Sequence, residues 1–522
     1  MPENISSQTL QKGYIMEQIE KYGVFELRMT GTDQTDPLLE CIEFQKGDRR
    51  IPVPAFRNRR GEYLVRFMPD ETGVWNYRGA LAGRELKGSF ECVGNTGNNH
   101  GRVVAAEYHF QYEDGERYIP FGTTCYAWIH QTAELREQTL ETLSRSPFNK
   151  VRMCVFPKSM PYNTNDPDCY PFEKRDDGSW DVSRPDSVFW EKLERHIIAL
   201  MEIGIEADLI LFHPYDRWGF SQLSQQDSMI YLKYCVARLS AYRNIWWSLA
   251  NEYEMLYSKS LRDWDEYGEF LAQYDPHGHL RSVHNFLEPY PKRDWLTHCS
   301  MQSSSFYKIP IWRQEYETPV IIDECGYEGD LPYGWGSLTA FEMVHRAWCS
   351  VFRGGFCTHG ETYHRDDEVL WWAKGGELYG ESWKRIAFLK DVVYSLPGVW
   401  DILPYNSVNP NLDTSDEKAM REQAQFQKLL HSVSRETQEM FAGNITPMRI
   451  QGDGWYLEYF GGIRPAYCDL PLEHTRKYQV KVLDIWEMTS RALPDNVSGN
   501  ARIPLPGKEG TAILVSEVQK VM

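Results

Sequence analysis

The chain has 522 residues, too many for one ordinary core, so two to four domains are expected, one of them of barrel size. Lys and Arg total 56 against 74 Asp and Glu, a formal net charge of -18 with no clustered basic run. That excludes nucleic acid as a partner, since phosphates need a positive surface, and it excludes an anionic membrane.

The N-terminal stretch "MPENISSQTLQKGYIMEQIEKYGVFEL" lacks the basic start and unbroken apolar run of a signal peptide. No later segment reaches the roughly eighteen apolar residues that a membrane span needs. The 11 cysteines include no C-x-x-C pair and no ligand-like Cys/His spacing. They read as reduced thiols in a cytoplasmic protein.

Over the first stretch, residues 1–105, the pattern is short β-runs with turns between them, and a β-sandwich is expected. "YLVRFMPDETGVWNYR" reads as a hairpin: Tyr63, Val65 and Phe67 alternate with Leu64 and Arg66, Pro69 to Gly73 turns the chain, and Val74, Trp75 and Tyr77 return it. From 106 to 400 apolar strands alternate with amphipathic helices. Eight strand candidates fall at 118–128, 148–157, 205–213, 244–252, 280–285, 295–302, 319–326 and 354–361. Between the third and fourth, "SMIYLKYCVARLSAY" places Ile230, Tyr234, Ala237 and Ala241 on one helical stripe.

Eight βα units in one region point to the α/β class and a (β/α)8 TIM barrel. A doubly wound open sheet would want a glycine-rich phosphate turn after its first strand, and "FGTTCYAW" is not one. No phosphate-bearing cofactor is supported, and none of any kind is expected. The polar stretch from Asn406 to Asp416 marks the next boundary. Residues 401–522 return to short strands such as "GDGWYLEYFGG" and "GTAILVSEV", a second β-sandwich.

In a barrel of this kind functional groups sit at the C-terminal strand ends. Those ends offer Trp128 and His130 from the first strand, Arg152 from the second, and His213, Tyr215 and Asp216 from the third. The later strands offer Asn251 and Glu252, His284 and Asn285, Gln302, Glu324, and His359 with Glu361. Such polar density on apolar strands is costly unless the groups face a shared solvated pocket. Glu252 and Glu324 end the fourth and seventh strands, three βα units apart, and would face each other across the mouth. Two opposed carboxyl groups are what glycoside hydrolysis uses, one as acid and one as nucleophile or stabiliser. Trp371 and Trp372 offer flat faces for a sugar ring. Cys325 follows Glu324 and should point the other way, as packing.

"WWSLANEYE" and "PVIIDECG" resemble the strand-four Asn-Glu and strand-seven Glu signatures of clan A glycoside hydrolases, which include family five. "RFMPDETGVWNYR" and "VKVLDIWEMT" with "IPLPGKEGTAIL" resemble the flanking domains of bacterial proteins that carry an apiosidase-like barrel between two sandwiches. The resemblance implies a retaining enzyme with Glu252 as acid/base and Glu324 as nucleophile. It implies that Asn251 holds the sugar 2-hydroxyl and that Arg152 keeps the nucleophile ionised. The clan often has Tyr or His where Gln302 stands, which leaves Tyr307 and His284 as candidate partners of the nucleophile.

The expected function is therefore a β-glycosidase acting on a carbohydrate, exo-acting on imported glycosides if it is cytoplasmic. A non-catalytic carbohydrate-binding protein and a metal-dependent barrel hydrolase are the alternatives. The latter would want paired histidines on the first strand or H-E-x-x-H, and neither occurs. No metal is expected, and a homo-oligomer is compatible with the composition.

Overall fold

The computed structural model describes residues 16–31, 40–59, 61–403, 415–445 and 447–518. At its centre lie eight parallel strands: β1 (Gly122–Thr124), β2 (Lys150–Cys154), β3 (Glu206–Phe212), β4 (Ile245–Ala250), β5 (Arg281–Ser282), β6 (Cys299–Gln302), β7 (Val320–Glu324) and β8 (Phe356–His359). Each falls within its expected window. Pairing runs β5-β4-β3-β2-β1-β8-β7-β6, and a parallel bridge between His284 and Ser300 closes the ring.

Helices α1 (Ala133–Arg145), α2 (Ser187–Glu202), α3 (Gln225–Leu239), α4 (Leu261–Tyr274), α5 (Ile309–Tyr316), α6 (Ala340–Phe352) and α7 (Ser382–Ser395) pack outside. Thr132, Asp186, Ser224, Ser260 and Thr339 cap the starts of α1, α2, α3, α4 and α6 by accepting a backbone N–H, as short polar side chains do at helix entries. The connection from β5 to β6 has no helix. Its segment contains Pro289 and Pro291, which lack the N–H a helix interior requires.

Strand alternation sorts the side chains. Val151, Met153, Leu209, Leu211 and Leu249 point outward into a core shared with Leu193, Ile197, Leu200 and Leu232 of the helices. The opposite face puts charge inside the barrel. Lys150 Nζ lies 2.8 Å from both Asp208 and Asp323, and Arg152 lies 3.2 Å from Asp323 and 3.6 Å from Asp208; all four side chains are fully buried. Ser300 and Thr358 each donate to Asp323 at 2.6 Å.

The N-terminal unit is a sandwich. A five-stranded sheet holds Gln18–Glu20, Arg84–Val93, Gly73–Leu81, Cys41–Lys46 and Arg49–Pro54; a three-stranded sheet holds Phe25–Thr30, Glu62–Phe67 and Phe56–Arg59. Phe25, Phe44, Phe67, Trp75 and Phe90 fill the space between. The expected hairpin at 63–78 does not form. Glu62–Phe67 and Gly73–Leu81 belong to different sheets, so the Pro69 to Gly73 turn carries the chain across the sandwich. The second of these strands pairs instead with Arg84–Val93 through Ala82 and Gly83, both at positive φ, the geometry of a tight two-residue hairpin turn. This unit is anchored to the barrel by a buried ion network: Glu194 of α2 accepts from Arg66 of the sandwich and, at 2.7 and 2.8 Å, from Arg238 of α3.

The C-terminal unit has a six-stranded and a two-stranded sheet around Leu470, Val480, Ile503, Ile513 and Val515. Between its first strand, Asp401–Ile402, and the next lie two helices, Glu417–Ser432 and Arg435–Ile445, which the strand-only reading of this region does not anticipate. Most of the polar stretch at 406–416 lies outside the described residues. Among the described residues no helix is long and apolar enough to cross a membrane, and all eleven cysteines are free.

Inside the barrel, Glu206 accepts the indole N–H of Trp246 at 3.0 Å, and burial pushes its pKa up to about 8 from an ordinary 4.5. Between those values the unfolded chain has released a proton that the folded chain keeps, so folding loses stability as pH rises. Urea midpoints for wild type and Glu206→Gln should therefore diverge from roughly pH 5 to pH 8, the variant gaining by about 1.4 kcal/mol per pH unit relative to wild type. Parallel curves would exclude a neutral buried Glu206.

Candidate active site

The mouth of the barrel is built on the buried charges. Arg152, held by Asp208 and Asp323, donates through Nη2 to Asn251 Oδ1 at 2.9 Å and through Nη1 to Ser300 Oγ at 3.2 Å. With its oxygen occupied, Asn251 presents its NH2 group, which has no protein partner. The proton of Ser300 goes to Asp323, so His284 Nδ1, 3.1 Å from Ser300 Oγ, is the donor in that contact. The other side of the ring sets Nε2 3.4 Å from Glu324 Oε1, an ion-pair distance rather than a well-formed hydrogen bond. Asp323, beside Glu324 in the sequence, is thus the point from which both Asn251 and His284 are oriented.

Each of the two glutamates accepts a hydrogen bond from a tyrosine: Glu324 from Tyr126, Glu252 from Tyr215. The ammonium of Lys158 sits 3.4 Å from the ring centre of Tyr126 and 4.5 Å from that of Tyr215, within cation–π range of both. Lys158 is 2 % exposed, and burial lowers its pKa. One buried cation therefore lies between two tyrosine–glutamate pairs.

The carboxyl groups are driven in opposite directions. Burial raises Glu252, and the charge of Glu324 raises it further, against Lys158 and Tyr215. Burial would raise Glu324 too, but His284, then Lys158 and Arg152, outweigh it and hold the carboxyl at about 2. Glu252 also has φ 51°, a left-handed backbone that costs an ordinary residue about 1–2 kcal/mol. Asn251 N–H bonds to Phe212 O at 2.9 Å and Tyr253 N–H to His284 O at 3.0 Å, clamping the strained position from both sides.

Other candidates fall elsewhere. Trp128 is fully buried in the core, edge-to-face with His196 of α2, and turns no face to the mouth. Tyr307 directs its hydroxyl to Glu436 of the helix Arg435–Ile445, 3.4 Å away, so it is no partner of Glu324. Arg152 is expected to keep Glu324 ionised by charge and hydrogen bonding; its charge does lower Glu324, but it makes no hydrogen bond to it, its guanidinium being taken up by Asn251, Ser300 and the two aspartates. Asn285 accepts from the Gln302 backbone at 3.0 Å, tying the end of β5 to that of β6. His213 lies against Phe156 O at 3.2 Å, and burial followed by the Lys158 charge lowers it to about 3. Trp371 donates to Thr123 Oγ1 at 2.8 Å, and the same hydroxyl lies 3.1 Å from His359 Nδ1, so both side chains are tied to Thr123 of β1.

Glu361 accepts the Tyr379 N–H, and burial pushes it up to about 8. With Glu328 and His359 it forms a group of three possible metal ligands within 4.8 Å of one another. Glu328, however, already accepts from Tyr363 at 2.8 Å, from the Glu381 and Ser382 N–H groups at 2.9 and 3.1 Å, and from the Ser382 hydroxyl. Its carboxylate serves as the anion at the start of α7. Cys325 Sγ lies 3.3 Å from Cys357 Sγ, in a core with Ile309 and Met343.

The residues missed from the sequence are Tyr126, Lys158, Asp323 and Tyr327, whose hydroxyl lies 3.4 Å from that of Tyr126. Two carry a readable signal. Asp323 is a carboxylate inside an apolar strand, and Lys158 is a charge directly after the apolar run "VRMCVFP".

Comparison with known proteins agrees with the fold. The model of the apiosidase-like catalytic domain matches residues 105–393, and two domains of unknown function, DUF5060 and DUF5605, match 18–81 and 445–516. A crystal structure of a candidate glycoside hydrolase from Bacteroides vulgatus is similar over 96% of this chain and 100% of its own, with 31% identity and TM-score 0.84. A family-five glycoside hydrolase from the same organism shares the fold at 14% identity, TM-score 0.57, over 81% of this chain and 96% of its own. No curated protein matches the chain. A parallel barrel between two sheet domains, with a glutamate at the end of β4 and another at the end of β7, and a family match across the whole barrel lead to one conclusion: the chain belongs to the apiosidase-like family.

Proposed function

We propose that the protein is a retaining β-glycosidase working by double displacement, with Glu252 as acid/base and Glu324 as nucleophile. The observation that carries this reading is the pair of opposite shifts around Lys158: Glu252 raised towards the protonated form, Glu324 held ionised. A protonated Glu252 can give its proton to the leaving oxygen while ionised Glu324 attacks the anomeric carbon. Glu252, now ionised, then takes a proton from the water that releases the sugar. The free NH2 of Asn251 supports a contact to the sugar 2-hydroxyl, one that strengthens as the ring flattens. Arg152 favours the anion of Glu324 by charge alone and orients Asn251 through its hydrogen bond. Exo-action, expected from location alone, forms no part of this proposal.

A panel of aryl β-glycosides tests it, with the anomer first released read by proton NMR; retention is expected. Inversion would contradict double displacement, and binding without turnover on every glycoside would make the protein a carbohydrate-binding one instead. Glu252→Gln should lose roughly 10²–10⁴ in rate on poor leaving groups, which need a proton, and far less on activated ones. Equal losses on both would remove the acid assignment.

Lys158 gives a separate test. Its charge lowers both carboxyl groups. Lys158→Met should therefore raise both, moving the acid and the basic limb of the kcat/KM profile to higher pH together, by on the order of one unit. Lys158→Arg should leave both limbs close to wild type. Limbs that stay fixed in Lys158→Met would deny the lysine this electrostatic role.

A further inference from the structure

Beyond the carboxyl pair, an aromatic row runs outward from Glu324. Tyr126, its hydrogen-bond donor, has its ring 6.1 Å from Trp372; Trp372 lies 5.1 Å from Trp335, and Trp335 lies 5.4 Å from Tyr333 with the two planes only 3° apart. The first two rings are buried, while Trp335 is 40% and Tyr333 44% exposed. A single exposed aromatic ring calls for no explanation. Two parallel ones, continuous with the site and at its rim, do.

The segment that carries them is held rigid. Leu331 N–H bonds to Gly336 O at 3.0 Å, Gly336 N–H to Tyr333 O at 2.9 Å, and Tyr327 N–H to Trp335 O at 2.7 Å. Thr362 Oγ1 donates to Gly336 O at 3.0 Å from the far side. Tyr327 packs edge-on against Trp335, 6.2 Å between ring centres, and its hydroxyl lies 3.4 Å from that of Tyr126. Little ordering entropy remains for a ligand to overcome at these rings. A flat, electron-rich face of this kind suits the C–H side of a pyranose. From Asp330 to Leu338 the segment contains no Lys or Arg, so an acidic sugar gains nothing there.

Building on the glycosidase reading, we propose that Tyr333 and Trp335 form a stacking platform for an uncharged sugar unit remote from the bond that is cleaved, so that the natural substrate is an oligosaccharide chain rather than a small glycoside. The loop after β7 then selects for chain length, while the carboxyl pair performs the chemistry.

Affinity electrophoresis of Glu324→Gln, which leaves bound glycan intact, through gels containing galactomannan, xyloglucan, arabinoxylan or polygalacturonate tests this. At least one of the three uncharged glycans should retard the protein. Trp335→Ala and Tyr333→Ala in that background should each weaken the retardation roughly tenfold, and Trp335→Phe should keep most of it. In the otherwise wild-type enzyme, the ratio of kcat/KM on oligosaccharides from the retarding glycan to that on an aryl monoglycoside should fall by a similar factor in Trp335→Ala. No retardation by any uncharged glycan, retardation by polygalacturonate alone, or equal retardation of the alanine variants would overturn the platform. Turnover of the aryl glycoside by wild type, measured alongside, separates the two claims. Its absence would sink the glycosidase reading, while the gels would still judge the platform.

Discussion

Four charges with no access to water, Lys150, Arg152, Asp208 and Asp323, form the floor on which the site rests. Taking any of them out of water costs several kcal/mol, and such clusters rarely stabilise a fold relative to well-packed apolar residues. Their presence where most barrels stack Val, Ile and Leu is therefore informative. The cluster is neutral as a whole, and two of its members connect it to the mouth. Arg152 reaches Asn251 and Ser300, and Asp323 fixes the proton of Ser300, which in turn sets the His284 ring facing Glu324. A buried network cross-linked by several ion pairs and hydrogen bonds is stiff. Two side chains at the mouth inherit that stiffness without being part of the cluster.

Above this floor the carboxyl groups differ because their neighbours differ. Glu324 is surrounded by His284, Lys158 and Arg152, all of which favour the anion. Glu252 sits on a strained left-handed turn with less cationic company and faces the charge of Glu324 itself. The same lysine touches both tyrosines, so the two environments are linked and must respond together to any change at that position. Chemistry that needs one proton and one lone pair at a single bond is served by this asymmetry.

Much of the barrel is legible in the sequence because its strands are short apolar runs ended by polar residues, a pattern that few folds besides a barrel produce eight times over. Glu252 and Glu324 are legible for the same reason, lying where βα loops begin. What the sequence hides depends on contacts far apart along the chain. The turn at Pro69 to Gly73 looks the same whether it makes a hairpin or changes sheets; partner strands decide, and Gly73–Leu81 pairs with Arg84–Val93. Tyr307 looks like a site residue, but its neighbour Glu436 is 129 positions away. Trp128 follows the end of β1 in a tight turn that tucks under α2, which periodicity alone does not reveal. Lys158 follows an apolar run, but a lone lysine after a strand is ordinarily a solvated one, and its role becomes visible through burial beside two tyrosine rings.

The central claim is that Glu324 attacks the sugar and becomes covalently attached to it. Incubation with a 2-fluoro glycoside of whichever sugar the enzyme turns over, followed by proteolysis and mass spectrometry of the labelled peptide, measures this directly. The account expects the adduct within "TPVIIDECGYEGD", on Glu324, and its loss in Glu324→Gln. An adduct on Glu252, on Glu361 or on Cys325, or turnover of the same sugar with no adduct at all, would contradict it.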